Sequence, residues 1–146
     1  MVSFRTHLRA ICTTVLLSLS LVHCSCGSDK VIEAPPPNLV LSSGPKNPVD
    51  GVEAPGASGV PVLQLTVTGD PNHPATLTGL TVTADGDIDQ IASVRLLKDV
   101  NANGFPELSD TAYGEPQPLS ENRTATFAGI DEVMEPNASL VLLVVV

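Results

Sequence analysis

The sequence contains no tryptophan, one tyrosine and three phenylalanines in 146 residues. Aromatic platforms for stacking sugars or bases therefore have almost nothing to be built from. Basic residues are also scarce, seven against sixteen acids, and from Cys24 onward there are five against sixteen, a balance of −11. Such a surface repels phosphate backbones, and nucleic acid is excluded as a partner. No cysteine follows Cys26, which rules out a disulfide framework for the rest of the chain. His73 lies between Asn72 and Pro74 with no Cys or His close in sequence, which is a turn at the surface and not a zinc site. No paired acid and base, no nucleophile with a base and no phosphate-binding loop is visible. The expectation is a protein without catalytic residues.

What is abundant is punctuation and β-formers. Thirteen prolines and eleven glycines separate short runs of Val, Leu and Thr, which read as strands joined by turns. Asn38 to Ser42 suggests a first edge strand. Leu63, Leu65 and Val67 alternate with Gln64, Thr66 and Thr68, so the first three face a core and the others face out. From Ala75 to Ala84 the inward phase changes between Leu77 and Leu80, and a bulge is expected at Gly79. Ile91 to Lys98 reads as a strand with Ala92, Val94 and Leu96 inward. Pro116 and Pro118 make Ala112 to Leu119 an edge. Thr124 to Ile130 places Ala125 and Phe127 inside. Leu140 to Val146 is continuously apolar, which implies burial on both faces. About seven short strands predict one all-β domain, an antiparallel β-sandwich, over residues 38–146.

The N-terminal end is different. Arg5, His7 and Arg9 precede an uncharged apolar run from Ala10 to Val22, thirteen residues that are too few to span a bilayer and fit a secretory signal. Leu21-Val22-His23-Cys24 resembles the lipobox of bacterial lipoproteins, with His23 where that family prefers Gly, Ala or Ser. The resemblance implies a signal peptide over residues 1–23, removal of it, and acylation of Cys24, with Cys26 as the alternative. Residues 24–37, with Pro35-Pro36-Pro37, form a tether. Paired alkyl chains at about 0.8 kcal/mol per buried CH₂ would hold the protein at a membrane. Ser25 favours an outer-membrane or cell-surface location.

The chemistry concentrates in Asp99-Val-Asn-Ala-Asn-Gly-Phe-Pro-Glu-Leu-Ser-Asp110. Oxygen-bearing side chains at places one, three, five, nine and twelve, with a glycine sixth, match the spacing with which a loop wraps one Ca²⁺. A hard cation takes six to eight oxygens at about 2.3–2.6 Å, and alternate side chains converge on it only where the chain turns sharply. Gly104 is expected to supply that turn. The run from Val60 to Val146, with Ile-Ala-Ser-Val-Arg-Leu-Leu-Lys-Asp-Val-Asn-Ala-Asn-Gly in its middle, resembles the Ig-like β-sandwich repeats of bacterial surface and secreted proteins. In these a strand-to-strand loop resembling a dockerin or EF-hand loop is common. The resemblance implies Asp99, Asn101, Asn103, Glu107 and Asp110 as side-chain ligands and Phe105 as a carbonyl ligand. Pro106 and the short twelfth residue, Asp110, depart from the pattern, and binding is expected to be weak, roughly 10⁻⁴ to 10⁻³ M.

These readings combine into a lipid-anchored surface protein with a Ca²⁺-stabilised sandwich in a structural or adhesive role, facing another surface protein or a glycan. The alternative is a glycan-binding module using the edge near Tyr113 or the loop after Asp85. A second alternative is a fragment of a larger surface protein, with the last strand left uncovered and prone to pair with other chains.

Overall fold

The structure, a computed structural model, describes residues 8–10, 37–48, 58–85, 89 and 91–146. Cys24, Cys26, most of the tether and the loop after Asp85 lie outside the described residues. The strands are β1 (Leu8–Ala10), β2 (Val40–Ser43), β3 (Pro61–Thr68), β4 (Ala75–Ala84), β5 (Arg95–Lys98), β6 (Thr111–Ala112), β7 (Thr124–Met134) and β8 (Ser139–Val145). They form two antiparallel sheets, ordered β1-β4-β7 and β2-β3-β8-β5-β6. The protein is an all-β antiparallel sandwich, seven strands from β2 to β8. Leu8–Ala10 runs beside β4, Leu8 opposite Ala84 and Ala10 opposite Val82.

The alternation in the sequence produces the core. Leu65 and Val67 from β3, Leu80 and Val82 from β4, Phe127 from β7 and Leu142 from β8 belong to one buried cluster between the sheets. Each such side chain contributes about 1.5–3 kcal/mol relative to exposure. The change of phase in β4 coincides with a register shift between Leu77 and Gly79. Leu77 faces Glu132 and Gly79 faces Ala128, so Thr78 alone opposes residues 129–131. The bulge stands where expected, and its extra residues belong to β7. There Gly129 and Asp131 take φ of 69° and 51°, the left-handed turn that lets β7 resume pairing.

β8 explains why its sequence is apolar throughout. It lies between β3 and β5, with Leu142 and Val144 in the main core while Leu143 and Val145 join Leu97 in a second buried cluster on the opposite face. A strand buried on both faces has no position for a polar alternation. Beyond it, Val146 and Val60 exchange two backbone hydrogen bonds, at 2.9 and 3.0 Å. The expectation of an uncovered terminal strand is thus overturned: β8 has a ladder partner on either side.

Two other expectations need correction. The strand expected over Ile91 to Lys98 begins at Arg95, which already faces Val145, the last residue of β8. Residues upstream have run past the ladder, so Val94 makes a single bridge to Gln117 and Ala92 is exposed. Gln64, expected on a solvated face, is 0 % exposed.

Candidate calcium loop

β5 pairs with β8 through Lys98, opposite Leu142, and the chain makes one more ladder bond, Asp99 N–H to the Val141 carbonyl at 3.0 Å. It then leaves the sheet and returns as β6, where Thr111 faces Lys98. The loop is therefore the β5–β6 connection, pinned at both ends. Inside it Ala102 (φ 54°) and Gly104 (φ 81°) adopt left-handed backbone, and the Ala102 N–H reaches the Asp99 carbonyl at 3.3 Å. Gly104 makes the sharp turn expected of it.

Asp99 is the centre of the arrangement. It is only 3 % exposed, and one carboxylate oxygen accepts from Gly104 N–H at 2.9 Å and from Gln64 Nε2 at 2.6 Å. The other accepts from Asn103 N–H at 3.2 Å. That same N–H lies 3.1 Å from Asn101 Oδ1, which brings oxygens of the first and third places to one point. Asn103 Oδ1 accepts from Phe105 N–H at 2.8 Å. The amides of Asn101 and Asn103 donate to the two oxygens of Glu107, at 2.9 and 2.6 Å. Asp110 closes the loop by accepting from Val100 N–H at 3.2 Å and Glu107 N–H at 2.9 Å.

Four of the six residues expected as ligands, Asp99, Asn101, Asn103 and Glu107, thus form one hydrogen-bonded cluster. Asp110 turns to the loop's own backbone, and Phe105 is 65 % exposed. Among the described residues no three His, Cys, Asp or Glu side chains are gathered as a metal-holding group. The donor chemistry, carboxylate and amide oxygens with no nitrogen or sulfur ligand, suits a hard cation such as Ca²⁺. Comparison with known proteins found no matching family model, no matching curated protein and no matching solved structure. The functional reading rests on the fold and this loop.

Residues that sequence reasoning passed over hold the loop in place. Gln64 Oε1 accepts from Lys46 N–H at 2.6 Å, and Gln64 N–H donates to Asn47 Oδ1 at 2.8 Å. The signal was present in two places that were not joined. Leu140 to Val146 implied a covered outer face, and Gln64 is opposite Leu143 on that face, so it had to be buried and needed partners.

Beside the loop the two sheets are tied by Glu132 of β7. It accepts from Lys98 Nζ at 2.5 Å and from the Tyr113 hydroxyl at 2.9 Å. The Lys98 bond is the main reason the Glu132 carboxyl is held below its usual range, with Tyr113 adding to it. Burial first, then the same carboxylate, pushes the Tyr113 phenol well above its ordinary value. Tyr113 is packed against the main core, with its hydroxyl committed to Glu132. At the same end of the sandwich, where Thr68 faces Val40, Asp70 accepts from the N–H groups of Asn72 (2.8 Å), Asn38 (3.1 Å) and His73 (3.0 Å). Those bonds, Asn72 first, lower its pKa. They fasten the start of β2 to the β3–β4 turn.

Proposed function

We propose that the chain is an exported, lipid-anchored protein that displays a Ca²⁺-stiffened β-sandwich in a structural or adhesive role at a cell surface. The observation that carries the calcium part is Asp99. A buried carboxylate at the first place of a Ca²⁺-spaced loop, fixed by Gly104 and by Gln64 thirty-five residues away, is a preorganised ligand and not a solvated turn residue. With strands on both flanks there are no helices to open or close, so the ion stiffens the hairpin connection between β5 and β6 and does not signal. At about 1 mM Ca²⁺ and a Kd of roughly 10⁻⁴ to 10⁻³ M the linkage is about 0.4–1.4 kcal/mol.

Thermal melts of the protein in 1 mM Ca²⁺ and in chelator test this. The melting temperature is expected to rise by roughly 2–6 °C with the ion, with Mg²⁺ giving less. No difference between the two conditions removes calcium from the proposal.

The anchor is tested separately. Metabolic labelling with a radioactive or clickable fatty acid is expected to mark the wild-type protein, and Cys24→Ser is expected to abolish the label and release the protein from the membrane fraction. Label retained in Cys24→Ser and lost in Cys26→Ser moves the anchor to Cys26; no label in the wild type removes it.

A further inference from the structure

Gln64 is the most deeply buried polar side chain of the described residues, at 0 % exposure, and it holds two segments at once. The planar amide presents its oxygen to Lys46 N–H and its NH₂ to Asp99 Oδ2, both at 2.6 Å. Its backbone faces the same strap, through Asn47 Oδ1 to its N–H and the Gly44 N–H to its carbonyl, each at 2.8 Å. These bonds take over where the β2–β3 ladder ends at Ser43 and Leu65. Strap and loop also meet directly. A Cβ built on Gly104 would lie 2.5 Å from the Lys46 carbonyl oxygen, so the two backbones are in close approach there.

We propose that Gln64 is a coupling residue, which transmits the order of the loop Asp99–Asp110 to the strap Gly44–Asn47, so that Ca²⁺ in the loop closes the strap over the outer face of β3. The proposal rests on the calcium reading only for what orders the loop. An amide has one acceptor end and one donor end, fixed relative to each other. If the Asp99 carboxylate swings away, Gln64 must either leave its NH₂ buried without a partner or turn, and turning withdraws the oxygen from Lys46. Coupling of this kind is reciprocal: loosening the strap must weaken the ion as much as losing the ion loosens the strap. Partners that orient a ligand typically change metal affinity by about 10–100-fold.

The strap carries its own reporter, because Lys46 is exposed and followed by Asn47. Limited trypsin cleavage of the full chain, followed by mass spectrometry, is expected to cut Lys46–Asn47 about 10-fold faster in chelator than in 1 mM Ca²⁺. Gln64→Glu keeps an acceptor for Lys46 N–H but sets a carboxylate against Asp99. It is expected to give fast cleavage in both conditions and a calcium midpoint at least about 10-fold weaker. Asn47→Ala removes the acceptor of Gln64 N–H and is expected to weaken the midpoint several-fold, with Asn47→Asp restoring it. Cleavage at Arg95, within β5 and opposite Val145 of β8, monitors global opening. Equal acceleration at Arg95 and Lys46 in the Gln64 variant, or an unchanged calcium midpoint in Asn47→Ala, overturns the coupling. If the wild type ignores calcium altogether, the calcium reading fails alone. The latch is then decided by Gln64→Glu, with selective cleavage at Lys46 supporting it and none overturning it.

Discussion

Asp99→Ala is expected to destabilise the sandwich by about 3 kcal/mol, which corresponds to a fall in melting temperature on the order of 10 °C. The size follows from what the carboxylate does and not from its charge alone. Two donors lose their acceptor together, Gln64 Nε2 and Gly104 N–H, while Asn103 N–H is left with Asn101 Oδ1 alone. The bonds to Gln64 and Gly104 are buried, and a buried donor left unmade costs about 1–3 kcal/mol, with the two not additive. Water cannot easily substitute, because Asp99 is only 3 % exposed. The comparison that isolates burial is Val100→Ala, the next residue in the same loop, which is 59 % exposed and is expected to stay within about 0.5 kcal/mol of wild type. Urea unfolding of both variants in chelator reads the structural cost without the ion. Repeating it in calcium should show no added stability for Asp99→Ala. A cost of Asp99→Ala below about 0.5 kcal/mol in chelator would mean that the tie through Gln64 carries no weight.

The arrangement around Asp99 was only half legible in the sequence. Spacing alone placed Asp99, Asn101, Asn103 and Glu107 in one cluster and Gly104 at its turn, because those relations are local and follow from a twelve-residue pattern. Period-two alternation likewise gave β3, β4 and β7, an unbroken apolar run gave β8, and the break in the alternation located the shift beside Gly79. What periodicity cannot show is a contact between residues far apart in the chain. Gln64 alternates with leucines in the manner of any outward residue, and its burial depends on a strap that arrives from Gly44 and a loop that arrives from Asp99. The same limit explains Ala92, which has the right phase for the core but lies upstream of Arg95, where the ladder with β8 begins. Alternation assigns a face; only register decides whether that face has something to pack against.

Gly104→Ala should separate backbone conformation from close packing as the reason for a glycine at the sixth place. Alanine at φ 81° pays about 1–2 kcal/mol for the left-handed region, partly offset by about 0.4–1 kcal/mol from a less flexible unfolded chain. At this position the methyl would also sit 2.5 Å from the Lys46 carbonyl oxygen and 3.0 Å from Lys46 Cβ. Backbone cannot step aside as a side-chain tip can, so the strap must shift and the Lys46 N–H to Gln64 bond is strained or lost. Gly114 supplies the control, since it has φ 74° and open space within 4 Å of its added Cβ. Gly114→Ala is expected to cost about 1 kcal/mol or less, and Gly104→Ala about 2–4 kcal/mol, as urea midpoints at constant slope. The excess is the packing share alone, and the trypsin site at Lys46 should open in Gly104→Ala and not in Gly114→Ala. Equal costs would reduce Gly104 to a turn residue. A large excess without cleavage at Lys46 would show that the loop, and not the strap, yields to the methyl.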